Sequence, residues 1–149
     1  MEKQPIFKFH FESGKPEADE ACSFCQMHYG QYDLEQANVH VVLGGDGSVL
    51  SALHTQIEKG VDIPVFGLNY GDKGKMCNDP SLTGLNERVQ RAERQIIFPL
   101  KLTYTLSQNG QKNQAYAFNE FTFFRDSPQS AHLLILLKNE VTDLIARLV

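Results

Sequence analysis

The run Gly44-Gly45-Asp46-Gly47-Ser48 sets a carboxylate among glycines. Glycine lets backbone come close to a ligand and adopt positive φ. If a helix follows, its first N–H groups and positive dipole end form a cradle for phosphate. A carboxylate beside bound phosphates repels them unless it binds Mg²⁺ or takes a proton from an attacking hydroxyl. The same residues also read as a tight β–α turn with Asp46 as a helix cap. Two glycines before the aspartate and one after are more than capping needs.

A second glycine-rich stretch, Gly67-Leu68-Asn69-Tyr70-Gly71-Asp72-Lys73-Gly74, follows the next apolar run. Loops at the carboxyl ends of neighbouring parallel strands line one crevice, so the two stretches are expected to face each other. Taken alone, the second is an ordinary irregular connection. A third signal is Asn119-Glu120, an amide and a carboxylate inside the apolar run from Ala115 to Phe124. Buried there, the pair needs hydrogen-bond partners, supplied by a ligand's ribose or base or by neighbouring backbone.

Other residues carry less. Cys22 and Cys25 have the spacing of a metal or redox pair. No second pair accompanies them, and Cys77 alone does not complete a tetrahedral site, so a structural role is preferred. His54 on the following helix and His132 after the Asn-Glu strand are within reach of a ligand; a solvated histidine is the simpler reading at 54. Arg125-Asp126 reads as a turn.

The elements that must position these groups can be read from periodicity. Pro5 to Phe11 predicts a strand, and Ser13 to Pro16 a turn. A helix is expected from Pro16 to about Tyr29, with acids in its first turn and Gly30 as its stop. Val39 to Leu43 is apolar except for His40 and reads as a buried parallel strand. Ser48 to Lys59 predicts a helix ending at Gly60, and Ile63 to Leu68 another strand. Alternating strands and helices argue a parallel sheet with crossovers. Leu82 to Arg94 reads as a charged helix. Ile97 to Leu106, a turn at Gln108-Asn109-Gly110, Gln114 to Phe124 and Ala131 to Leu137 then read as antiparallel strands. The expected organisation is an α/β domain over 1–93 and a β-rich segment over 94–149. The apolar end, with Leu144, Ile145, Leu148 and Val149, would leave an open strand edge, covered by another copy or by further chain.

The 149 residues are 42% hydrophobic and 21% charged, with net charge −4. These values fit a globular protein. They give no global attraction to nucleic acid or an anionic membrane, so any phosphate must be held locally. No run of about 18 apolar residues predicts a membrane span, and the first residues do not resemble a signal peptide. Three cysteines argue against a disulfide framework and for a reducing cytoplasm.

The Gly-Gly-Asp-Gly loop at 44 to 47, the Gly-x-Asn-x-Gly-x-x-Gly stretch at 67 to 74 and the Asn-Glu pair at 119 and 120 together resemble the NAD kinase family. Their order and spacing are similar to those of its compact bacterial members, the alphaproteobacterial type in particular. That type also resembles the stretches around Ala37 to His54 and Gly84 to Leu100. The resemblance covers essentially the whole chain. Gly-Gly-Asp-Gly alone also occurs in diacylglycerol and sphingosine kinases and in phosphofructokinases; the three-part combination is far more specific.

The resemblance implies a Rossmann-like parallel-sheet domain followed by the start of an antiparallel β-rich domain. It implies transfer of the γ-phosphoryl of ATP, or in some members of polyphosphate, to the 2′-hydroxyl of the adenosine ribose of NAD, giving NADP. A divalent cation such as Mg²⁺ is implied with the donor. By position, Asp46 is the expected proton acceptor and metal-side carboxylate. Gly44, Gly45, Gly47, Asn69, Gly71, Gly74, Asn119 and Glu120 are the expected nucleotide-binding residues, with Glu120 on ribose hydroxyls. Two departures stand out. Lys75-Met76 follows Gly74 where the family carries an aromatic residue along the nucleotide. The family's later Gly-Asp-Gly and Thr-x-x-Gly-Ser-Thr-Ala-Tyr segments are also absent, so the chain is expected to be incomplete, to show little activity by itself and to self-associate. The alternatives are a non-catalytic nucleotide-binding or oligomerising remnant, and a lipid or sugar kinase sharing the first loop.

Overall fold

The computed structural model describes residues 4–11, 15–72, 74–106, 108–122, 124, 133–138 and 143–148, the last two stretches as backbone. The turn expected at Ser13-Gly14, together with Lys73, Arg125-Asp126, His132 and Val149, lies outside the described residues. The chain forms two compact units, Met1–Asn119 and Glu120–Val149.

In the first unit, strand β1 (Phe7–Phe11), helix α1 (Pro16–Tyr29), strand β2 (Val39–Gly44), helix α2 (Asp46–Lys59) and strand β3 (Val65–Asn69) follow in the expected alternation. A two-residue strand, β4 (Cys77–Asn78), completes a parallel sheet of order β1-β2-β3-β4. β3 begins after Pro64, whose carbonyl accepts the His40 N–H at 2.9 Å. Gly30 (φ 78°) and Gly60 (φ 66°) end the two helices, positions that only glycine occupies without strain.

Alternation along the strands divides the core between the two faces of the sheet. Phe7, Phe9, Val39, Val41, Leu43, Phe66 and Leu68 pack with Ala21, Cys22 and Cys25 of α1 and with Leu85. On the other face Val42 packs with Val49 and Ala52 of α2. Cys22 and Cys25 are thus core side chains. Burial pushes both thiols up, Cys25 to about 11, so neither is poised as a thiolate.

Helix α3 (Leu85–Arg91) is shorter than the expected 82 to 94. Gly84 sits at φ 63° before it, and Ala92 leaves the helical region at ψ 134°. Strand β5 (Leu100–Thr105) starts after Pro99, which has no N–H to give a ladder. It pairs antiparallel with β6 (Lys112–Ala117) through a turn in which Gly110 adopts φ 69°. The Asn109 Oδ1 accepts the Gln111 N–H there at 2.9 Å. In the second unit, β7 (Leu133–Lys138) pairs antiparallel with β8 (Asp143–Leu148). The architecture is therefore a parallel α/β sheet followed by antiparallel pairs. Among the described residues no helix is long and apolar enough to cross a membrane.

Candidate functional site

The site begins where β2 and β3 end side by side. Gly44 stands opposite Asn69 in the sheet register, and the Tyr70 N–H donates to the Gly44 carbonyl at 3.1 Å. Gly45 is extended (φ −100°, ψ −170°) and takes the cap position of α2 with no side-chain cap bond. The Ser48 and Val49 N–H groups both donate to its carbonyl, at 3.1 and 3.2 Å. The helix therefore starts at Asp46, two residues earlier than periodicity predicts, because the apolar pattern begins only at Val49.

That placement decides one alternative. Asp46 does not cap its own helix. Its Oδ1 accepts the Met76 N–H at 2.8 Å and its Oδ2 the Lys75 N–H at 3.0 Å. The carboxylate thus ties the first glycine loop to the far end of the second. The Met76 and Lys75 N–H groups, with a smaller contribution from the Lys75 charge, hold the Asp46 carboxyl below its ordinary range. Asp46 is ionised at neutral pH.

The glycines act here by smallness rather than by unusual backbone. Among the described residues positive φ occurs only at Gly30, Gly60, Gly84 and Gly110, so the positive φ expected in the loops is not used. A Cβ added at Gly71 would lie 3.0 Å from the Gly45 Cα. One at Gly74 would lie 2.9 Å from both the Asn69 Oδ1 and the Cys77 Cβ. The two loops interlock, as neighbouring loops at the carboxyl ends of parallel strands should. Gly47 differs: no atom lies within 4 Å of an added Cβ, and the residue is exposed. The first turn of α2 is open at that point. Asn69 shapes the second loop, its Oδ1 accepting the Gly71 N–H at 3.1 Å.

The groups that close the site have roles that the sequence did not indicate. The backbone N–H groups of Lys75 and Met76 carry no type signal. Cys77 lies beneath the loops, its thiol 3.7 Å from the Gly44 carbonyl and 3.9 Å from the Asp46 Oδ1. Burial and the adjacent Asp46 push that thiol up to about 11, so it is a proton donor and not a nucleophile.

The third motif lies elsewhere than expected. β6 stops at Ala117, and Asn119 and Glu120 follow it as exposed residues outside the strand. The apolar run continues past the ladder, which explains why its pattern reads as strand. Neither side chain requires a buried partner. Phe118 meets the His54 ring edge to face at 5.1 Å, which makes His54 a packing residue on α2. Asn119 belongs to the first unit and Glu120 opens the second. Among the described residues no group of three or more His, Cys, Asp or Glu is arranged to hold a metal ion.

No family model matches the chain. Curated proteins do. The NAD kinase of Hyphomonas neptunium is 37% identical over 137 residues, 92% of this chain and 52% of that protein. Those of Cereibacter sphaeroides (39% identical) and Caulobacter vibrioides (37%) each match 87% of this chain, and 50% and 48% of their own lengths. A match of such extent leaves out only the ends of the chain, so it takes in both glycine loops. The chain is a relative of the NAD kinases. It spans about half the length of the curated NAD kinases it matches. The interlocked loops around Asp46 therefore lie in the part shared with NAD kinases.

Proposed function

We propose that this chain supplies the phosphate-loop part of an NAD kinase, which transfers the γ-phosphoryl of ATP, or of polyphosphate, to the 2′-hydroxyl of the adenosine ribose of NAD. The observation that carries the reading is the Asp46 carboxylate, held by two backbone N–H groups where the two glycine loops interlock beside an open first helical turn. The glycine loops would face the phosphates, with Asn69 fixing the second loop. Asn119 and Glu120, exposed after β6, would be available to the dinucleotide. Residues 1–93 would form the phosphate-loop domain and 94–149 the start of the NAD-binding domain.

Asp46 would accept the hydroxyl proton. Its lowered basicity is tolerable because phosphoryl transfer passes through a loose transition state, in which orienting the hydroxyl matters more than base strength. The Asp46 Oδ2 accepts one backbone N–H, and Oδ1 accepts one together with the Cys77 thiol, which leaves the carboxylate lone-pair capacity for a divalent cation, chiefly on Oδ2. Mg²⁺ commonly takes one or two carboxylates together with substrate phosphates, so the donor set fits it. When bound, it would neutralise charge on the phosphates.

A cytoplasmic setting suits three free cysteines. Self-association is supported by the apolar stretch before and along β5: Ile96 is 79% exposed and Phe98 82%, with Leu100, Tyr104 and Leu106 also exposed. The test of function is a chimera in which the matched residues replace their counterparts in the Hyphomonas neptunium NAD kinase. NADP formed from NAD with Mg²⁺ and ATP, or with polyphosphate, is the expected result. A folded chimera that forms no NADP with either donor overturns the reading.

A further inference from the structure

We propose that Lys75 is the cationic contact for the linked phosphates of a ligand lying over the Asp46 loop, an inference that rests on the phosphotransfer reading above. A protein of net charge −4 must gather phosphate locally, and the carboxylate at the centre of its glycine loops opposes that. A side-chain cation adjacent to the carboxylate would offset that repulsion alongside any divalent ion. Lys75 is in that place. Its backbone N–H donates to the Asp46 Oδ2 at 3.0 Å, which fixes its Cα at the edge of the open helical turn.

The side chain is exposed, and no salt-bridge partner is found for it among the described residues. Its charge reaches Asp46, contributing to the lowering of that carboxyl, without forming an ion pair with it. Lys15, also near the second loop, is by contrast engaged with Asp72 at 3.5 Å. Lys75 is thus positioned by its own backbone, and among the described residues its ammonium forms no ion pair. An ammonium on a flexible stem suits a chain of phosphates, which it meets as a point charge.

The linked phosphates have two possible sources, the oligophosphate of the donor and the pyrophosphate of the dinucleotide. Isothermal titration of the 149-residue protein with sodium tripolyphosphate and, separately, with NAD distinguishes them. The proteins to compare are the unsubstituted chain, Lys75→Met and Lys75→Arg. Because Lys75 is exposed, Lys75→Met is expected to keep the unfolding midpoint, which is checked alongside. The expected result is a Kd for tripolyphosphate raised about tenfold in Lys75→Met and nearly restored in Lys75→Arg. That Kd also rises with salt in the unsubstituted chain. A loss confined to NAD supports the contact and assigns it to the dinucleotide. Unchanged affinity of Lys75→Met for both ligands overturns the inference and leaves the phosphotransfer reading standing. Failure of the unsubstituted chain to bind either ligand also overturns the inference, whereas the phosphotransfer reading stands or falls on the chimera.

Discussion

At the scale of single residues, the site is defined by what one carboxylate touches. Asp46 was legible from sequence as the acid in a glycine loop; its partners were not, because Lys75 and Met76 contribute backbone N–H groups that no residue type announces. The glycines were legible as a cluster, but their reason was not. Close approach at Gly71 and Gly74, rather than positive φ, is what excludes a side chain. Gly74→Ala would press a methyl against the Asn69 Oδ1 and the Cys77 Cβ, both at 2.9 Å. Overpacking of this kind destabilises by about 1–3 kcal/mol. Gly47→Ala meets open space and is expected to leave stability nearly unchanged. Chemical denaturation of the two variants checks the contrast; equal losses would contradict it. The bonds to Asp46 also fix a pH dependence. Its folded carboxyl is lowered, so the loop contact contributes stability above the unfolded pKa and loses it as pH falls through the lower folded value. The Lys75 and Met76 amide resonances should therefore titrate with a midpoint below that of an ordinary aspartate, ~3.9. A midpoint at or above it would mean that the two bonds do not form.

At the scale of elements, periodicity placed β1, α1, β2 and β3 within a few residues, because burial on both faces of a parallel sheet imposes a strong pattern. It misjudged ends where a backbone property overrides the pattern: Gly84 at the start of α3, Pro99 before β5, and the apolar run that outlasts β6 at Ala117. His40 was legible only as a break in the β2 run. In the fold it is buried between β1 and α2, its Nδ1 3.4 Å from the Gln56 Nε2. Burial first, and then the neighbouring His10 and Lys8 charges, lower its pKa to about 4. Here the unfolded chain binds the proton more tightly than the folded one. The protein should therefore lose stability as pH falls from about 6.5, the ordinary histidine value, toward about 4. Denaturant midpoints across that range should fall for the unsubstituted protein and fall less for His40→Gln. Parallel curves would remove His40 from the account.

At the scale of the whole molecule, the chain spans about half of the NAD kinases it resembles and presents an apolar stretch from Ile96 to Leu106. Exposed aliphatic and aromatic groups in that density favour association. A Phe98→Asp, Leu100→Lys double variant is expected to shift the protein toward monomer in light scattering at matched concentration. An unchanged mass would contradict a role for this stretch in association. Fold class was readable throughout, since strand–helix alternation and hairpin signals occupy separate parts of the sequence. The third motif was readable only as a pattern, because Asn119-Glu120 lies beyond the ladder that would have fixed its direction. The central claim concerns Asp46 as the proton acceptor of the proposed phosphoryl transfer. Its most direct test is the rate of NADP formation by the chimeric NAD kinase carrying this chain's matched residues, with Asp46 and with Asp46→Asn. The substitution keeps the shape and removes the charge and the base, and turnover should fall ~10²–10⁴-fold. Turnover within about twofold of the unsubstituted chimera would contradict the account.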